Sequence, residues 1–219
     1  LSSKIEFLRH YNQFIKRHHA DLETLQANND ILTRLLSNAS GKLVLKNSKG
    51  QTGKEVEVVN CNDYSGGSLI SLMKKKGYDL MEEYVTQHHD LMGLSASGLN
   101  TIRVITQLNN NDIDIIGCRL RVSVNSQVDN LAAGNIAAAV DVHTGIVTSP
   151  GIYSDITKPD QVFHPVTREE IPGFKVPYWD EVLRMAKQAA LVMPENRSVG
   201  WDISITEEGP ELIEGNHNW

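Results

Sequence analysis

The stretch Ser198-Val199-Gly200-Trp201-Asp202-Ile203-Ser204-Ile205-Thr206, followed by the turn Glu207-Glu208-Gly209-Pro210 and by Glu211-Leu212-Ile213-Glu214-Gly215-Asn216, decides how the rest of the chain is read. Two strand-like runs flank a polar turn that contains glycine and proline, the pattern of an antiparallel hairpin, with strands expected over Ser198 to Thr206 and Glu211 to Glu214. Side chains alternate with a period of two, so Glu214 and Asn216 share a face, and the turn brings Asp202 opposite them. Two carboxylates and an amide suit magnesium, with phosphate oxygens and water completing its octahedron. Acidic residues beside a turn are equally what a solvated turn carries. Asp202 is the informative member: it lies between Val199-Gly200-Trp201 and Ile203, and a carboxylate among apolar neighbours needs a partner or a metal.

Upstream, Trp179 to Val192 has helical periodicity, and Gly145 to Pro177 is dense in proline and glycine and reads as surface loop. Before it, Thr101 to Leu108, Ile113 to Val124 and Ile136 to Val142 read as three strands of an antiparallel meander. They carry Arg103 on one strand and Arg119 and Arg121 on one face of the next. Planar guanidinium groups suit a carboxylate or a transferring phosphoryl group, and surface salt bridging accounts for them equally. Asp129-Asn130 followed by Gly134 adds a polar turn nearby. Further upstream, Ser68 to Lys76 reads as a helix ended by Gly77, and Tyr78 to Val85 as a strand containing Glu82-Glu83. Leu43 to Leu45 and Val56 to Val59 form a hairpin around a polar tip. From Lys4 to about Asn38 apolar residues recur at helical spacing, enough for two or three helices. Hairpin-joined strands with helices on one side give an α+β architecture rather than a doubly wound parallel sheet.

The composition sets outer limits. With 219 residues, 40% hydrophobic and 22% charged, the chain has the make-up of a globular protein of one large or two small domains. A net charge of −6 provides no diffuse positive field for nucleic acid or an anionic membrane, so any phosphate site must be local. Cys61 and Cys118 have no companions at metal-ligand spacing, which points to a reducing, cytoplasmic setting. No apolar run approaches the ~20 residues of a membrane span, and no signal segment opens the chain. A start at Leu1 and an end at Trp219 are those expected of a piece of a longer protein.

Lys46 ends an apolar strand and is followed by Gly50 and Gly53. Glycines let backbone N–H groups approach phosphate, and the lysine adds a point charge. The spacing differs from that of the Walker loop, and a solvated hairpin tip is the plain alternative. The pairs His18-His19 and His88-His89 invite a zinc reading, but adjacent residues on a regular element point apart. His143 and His164 are expected in loops or at the surface. No serine or cysteine with a neighbouring base suggests a covalent enzyme intermediate.

The order of these pieces resembles an ATP-grasp fold. More narrowly, Glu83-Tyr84-Val85-Thr86-Gln87-His88, Leu99-Asn100-Thr101-Ile102-Arg103-Val104, Val128-Asp129-Asn130, His164-Pro165, Gly200-Trp201-Asp202 and Ile213-Glu214-Gly215-Asn216 resemble the sugar-transfer-associated ATP-grasp family, related to α-L-glutamate ligases, over about residues 41 to 219. The resemblance implies ATP held between two α+β subdomains with antiparallel sheets. It places Lys46 and the Gly50 and Gly53 backbone on the phosphates and Glu82, Glu83, Tyr84 and Val85 beside the adenine. Asp202, Glu214 and Asn216 would hold magnesium, with manganese as the alternative ion. Arg103, Arg121 and Asn130 would hold the γ-phosphate or an acyl phosphate. The implied division is a helical remnant at 1–40, a small subdomain at 41–90 and a large one at 91–219. Asn47 replaces the family's usual proline, and Gly134-Asn135 replaces a glycine pair. The family's N-terminal domain and earlier ATP-contacting lysine are not assignable from the sequence.

The implied activity is an ATP- and magnesium-dependent carboxylate–amine ligase acting through an acyl phosphate on small-molecule substrates, with no nucleic-acid or membrane partner. The alternatives are a non-catalytic ATP-binding module, or a small-molecule kinase, associated with polysaccharide assembly. Neither the substrates nor the oligomeric state can be read from the sequence.

Overall fold

A computed structural model describes residues 3–50, 56–110, 112–126, 134–217 and 219. The chain divides into two compact units, one of residues 1–12 and 16–86 and the other of residues 13–15 and 87–219. Gly53 and Asn130 lie outside the described residues.

The first unit contains α1 (Lys4–His10), β1 (His19–Asp21), α2 (Leu22–Ala27), α3 (Asn29–Leu36), β2 (Lys42–Lys46), β3 (Val56–Asn60), α4 (Gly66–Lys76) and β4 (Leu80–Glu83). The expected N-terminal helices are present, each begun by a polar cap. The Asp21 side chain accepts from the Thr24 amide at the start of α2, and the Asn28 side chain accepts from the Asp30 and Ile31 amides at the start of α3. Ser65 and Ser68 cap α4 reciprocally, and Gly77 closes it with φ +73°. The three-residue β1 was not expected; it is too short for alternation to show and pairs with β4 at the edge of the sheet. All neighbours in the order β1-β4-β2-β3 are antiparallel. Leu43, Leu45 and Met81 face a core shared with Leu25, Leu32, Leu35, Leu69 and Met73. Period-two alternation therefore sends Lys46 and Glu82 to the opposite face.

The second unit contains α5 (His89–Leu94), β5 (Thr101–Asn109), β6 (Asp112–Val122), β7 (Ile136–Val140), β8 (Ile152–Tyr153), α6 (Trp179–Ala190), β9 (Ser198–Thr206) and β10 (Gly209–Asn216). The meander β5-β6-β7 forms as expected, and the final hairpin adds to its free edge, giving the order β10-β9-β5-β6-β7-β8. One face is apolar: Ile102, Val104, Leu120, Val122, Trp201, Ile203, Ile205 and Leu212 are all buried, and α6 packs against β5, β9 and β10. Residues 145–177 differ from the expected surface loop. Val147, Ile171, Val176 and His164 are buried there, and isolated bridges join Ile146 to Lys175 and Gly151 to Gln161. Among the described residues no helix is long and apolar enough to cross a membrane.

Candidate active site

The polar face of the second sheet carries a row of charges fixed by strand register. Glu214 lies opposite Asp202, Asp202 opposite Arg103, and Arg103 opposite Arg119. Arg121 follows Arg119 by two residues and points the same way. Arg103 grips the Asp202 carboxylate with both arms of its fork, Nε to Oδ1 at 2.6 Å and Nη2 to Oδ2 at 2.5 Å. Arg121 Nη1 donates to the same Oδ2 at 2.8 Å. Asp202 is buried, with 4% of its side chain exposed, and the arginines are the partners such a carboxylate requires. Gly200 leaves room for the Arg103 stem: a Cβ there would stand 3.4 Å from Arg103 Cδ and 2.6 Å from Trp219 Cβ. Burial first, and then the neighbouring Arg103 and Arg121 guanidinium groups, lower the pKa of Arg119, while Asp202 opposes that shift.

The final hairpin brings the expected trio together. Asn216 Nδ2 donates to Glu214 Oε1 at 3.0 Å and to Asp202 Oδ2 at 3.4 Å. Strand β10 runs on to Asn216, beyond the Glu214 end expected from sequence, and a register shift between Leu212 and Glu214 turns the last residues toward Asp202. Oxygen-bearing side chains with no sulfur or imidazole among them fit a hard divalent cation such as magnesium.

In the first unit Lys46 and Glu82 meet directly, and a third residue that sequence reading did not single out joins them. Arg17 Nε donates to Glu82 Oε2 at 2.6 Å, and Lys46 Nζ donates to the same oxygen at 3.0 Å. Burial alone would raise the Glu82 pKa, but the charges of Arg17 and Lys46 outweigh it and hold the carboxyl at about 2. Lys4, from the first turn of α1, reaches the carbonyls of Asn47 at 3.2 Å and Gly50 at 2.5 Å. A second cation thus stands on the glycine-bearing loop. Glu83 Oε2 accepts from the His18 amide, the Lys42 ammonium lies 5.3 Å from the centre of the Tyr84 ring, and Val85 lies beyond the end of β4, outside any helix or strand.

A buried polar network anchors the arginine strands. Gln87 Oε1 accepts from the Asn100 amide at 2.7 Å, and Asn100 Oδ1 accepts from the Ser123 amide at 2.9 Å. His164 Nε2 lies 3.0 Å from the Ser123 carbonyl, and its Nδ1 accepts from the Thr167 amide at 3.1 Å. His164 is therefore a buried structural residue rather than a surface one, and burial lowers its pKa. His143, by contrast, is exposed. The expectation that His88 and His89 point apart also fails. The chain turns into α5 between them, and their rings stack with centroids 4.2 Å apart.

The two antiparallel sheets, with a lysine-ended strand in one and the arginine and acid row in the other, make an ATP-grasp fold, the fold shared with the ligases that resemble it. The model of the sugar-transfer-associated ATP-grasp family matches residues 46–219, and the chain belongs to that family. Among solved structures, the ADP complex of N5-carboxyaminoimidazole ribonucleotide synthetase superposes with a TM-score of 0.58 at 9% identity, covering 99% of this chain and 44% of that one. N5-carboxyaminoimidazole synthetase from Staphylococcus aureus, complexed with ADP, gives 0.56 at 10% identity, covering 99% and 44%. L-amino acid ligase from Bacillus licheniformis gives 0.55 at 11% identity, covering 99% and 40%. The chain thus spans less than half the length of each of these structures. No curated protein matches it in sequence.

Proposed function

We propose that the protein is an ATP- and magnesium-dependent carboxylate–amine ligase. The observation that carries this reading is the register row Glu214, Asp202, Arg103 and Arg119 on one sheet face, in a chain of the ATP-grasp family. Such a row sets oxygen donors for a cation beside guanidinium groups for an anion, as phosphoryl transfer to a carboxylate requires.

In this reading a substrate carboxylate oxygen attacks the γ-phosphorus, ADP leaves, and an acyl phosphate forms. An amine then attacks the acyl carbon, and phosphate and a proton depart to leave the amide. Lys46 and the loop around Gly50 and Gly53 hold the nucleotide phosphates, and Glu82 to Val85 hold the adenine side. Lys4, whose ammonium donates to the Asn47 and Gly50 carbonyls, would be the earlier phosphate-contacting lysine. Arg103 and Arg121, with Asn130, hold the transferring phosphoryl group and then the acyl phosphate. Asp202, Glu214 and Asn216 would hold magnesium or manganese, which supplies neutralising charge at the phosphates. Residues 41–90 are then the nucleotide-loop and hinge segment, 91–219 the arginine and metal segment, and 1–40 what remains of the N-terminal region. Cys61 and Cys118, both free and buried, accord with a cytoplasmic setting. The partners are small-molecule carboxylates and amines.

The test incubates the protein with ATP, magnesium, a panel of carboxylates and hydroxylamine, which traps an acyl phosphate as a hydroxamate. ADP release that depends on the carboxylate and is matched by hydroxamate supports the ligase. Tight ATP binding with no turnover across the panel makes the protein a binding module, and a stable phosphorylated product without hydroxamate makes it a kinase.

A further inference from the structure

The stacked pair His88 and His89 lies between two carboxylates. On one side Glu207, in the β9–β10 turn, places Oε1 2.9 Å from His89 Nδ1 and Oε2 3.7 Å from His88 Nε2. On the other side Asp90 places Oδ1 3.3 Å from His89 Nε2 and Oδ2 3.5 Å from His88 Nδ1. Each imidazole thus turns one ring nitrogen toward Glu207 and the other toward Asp90. The donor atoms of His88, His89 and Glu207 all lie within 4.8 Å of one another.

We infer that His88, His89 and Glu207 form a zinc site, separate from the ATP and magnesium residues, with Asp90 as the carboxylate that orients both imidazoles. Zinc bonds nitrogen and oxygen at about 2.0–2.2 Å, so tetrahedral ligands on one ion stand about 3.4 Å apart. The 2.9 Å from His89 Nδ1 to Glu207 Oε1 and the 3.7 Å from His88 Nε2 to Glu207 Oε2 lie on either side of that spacing, each imidazole facing its own oxygen of the carboxylate. Two imidazoles and one carboxylate are a donor set of the kind zinc takes, leaving a fourth position for water or a ligand.

A histidine that gives one nitrogen to a metal carries its proton on the other, and that proton needs an acceptor, commonly a carboxylate. Asp90 faces the second nitrogen of both rings. In the metal-free chain His88 Nδ1 also accepts the Asp90 amide at 3.2 Å, capping α5. Zinc at Nε2 moves the ring proton to Nδ1 and exchanges that cap for a bond to the Asp90 carboxylate. Glu207 is fixed from two directions: its Oε1 accepts from the His89 amide at 2.8 Å, and its carbonyl accepts from the Tyr178 hydroxyl at 2.7 Å. The Tyr178 ring packs edge-on against His88. With 72% of the His89 side chain and 58% of the Glu207 side chain exposed, the ion has an open approach.

Titration calorimetry of the full chain with zinc chloride, in millimolar magnesium to saturate oxygen-only sites, tests the inference. One equivalent of zinc should bind, and cobalt in its place should give the visible absorption of a four- or five-coordinate ion. His89→Ala and Glu207→Gln should each weaken zinc at least about tenfold, and Asp90→Asn by about ten- to a hundredfold. Both ligand substitutions are at exposed side chains, and Glu207→Gln keeps an acceptor for the His89 amide, so melting temperatures without metal should stay near that of the wild type. Absence of saturable zinc binding in the wild type, or wild-type affinity retained in both His89→Ala and Glu207→Gln, would overturn the site. ATP turnover is not part of the readout, so the outcome is independent of the ligase reading.

Discussion

Replacing Glu82 by glutamine probes the charge cluster of Arg17, Lys46 and Glu82 in the first unit. Glu82 and Arg17 have 3% of their side chains exposed and Lys46 has 16%. Glutamine preserves the shape and one acceptor but withdraws the carboxylate charge that Arg17 and Lys46 share. Breaking a buried pair from one side costs about 3–5 kcal/mol. The pH dependence gives a second route to the same magnitude. A carboxyl held at about 2 in the fold, against 4.5 in the unfolded chain, contributes about 3 kcal/mol at neutral pH. Because the folded value is depressed, that contribution is complete above pH 4.5 and is lost as pH falls toward 2.

Urea unfolding followed by circular dichroism should therefore show Glu82→Gln less stable by about 3 kcal/mol at pH 7. The gap should close as the wild type is taken from pH 4.5 toward pH 2. All three tryptophans, Trp179, Trp201 and Trp219, belong to the second unit. Hydrogen exchange at β2 and β4 amides, rather than tryptophan emission, should carry the loss. Adding Arg17→Met to Glu82→Gln removes one of the two cations and should recover part of the stability. A variant within about 0.5 kcal/mol of wild type at pH 7, the range of ordinary surface substitutions, or one with an unchanged acid limb, would refute the reasoning.

Lys46→Ala should weaken ATP by about ten- to a hundredfold in calorimetry, the loss of one charge-assisted phosphate contact. Glu214→Gln should abolish the rise in melting temperature produced by ATP with magnesium, because the cation loses one of its charged oxygen ligands. His164 has a depressed folded pKa, so the stability it contributes is complete above the 6.5 of the unfolded chain and falls as pH drops below it. Tryptophan-detected unfolding at pH 7.5 and 5.5 should show a smaller loss in His164→Gln than in the wild type.

The parts of the fold that were legible in sequence are those whose signal is local. In β5, Ile102 and Val104 face the apolar layer while Arg103 between them faces the charged row, so alternation alone gave the strand and both of its faces. The end of helix α4 could be placed from sequence because Gly77 stops it, whereas its start is Gly66 rather than the expected Ser68. The three residues of β1 and the two of β8 are too few for a period to appear. The buried residues of 145–177 failed for another reason. Val147, Ile171 and Val176 are single apolar side chains separated by prolines and glycines, with no regular spacing, and their burial is set by contacts that sequence proximity does not encode. His88 and His89 misled because the alternation rule presumes one continuous element, whereas the pair spans the cap of α5.

Asp202 shows where legibility of the site stops. A carboxylate in so apolar a strand as Val199 to Ile205 calls for a partner or a metal, and that demand is readable in the sequence. The identity of the partner is not. Arg103 is 99 residues away and Arg121 81 residues away, and three arginines satisfied the demand equally well on paper. The insertion of β9 between β10 and β5 sets Asp202 opposite Arg103, and Arg121 reaches the same carboxylate from β6, the next strand out. Pairing between strands this distant in sequence carries no local signal, and no residue in either strand states it. The same insertion places Glu214 on the outer side of Asp202. Carboxylates and guanidinium groups thereby become neighbours on one face, although the sequence separates Arg103 from Glu214 by about half its length.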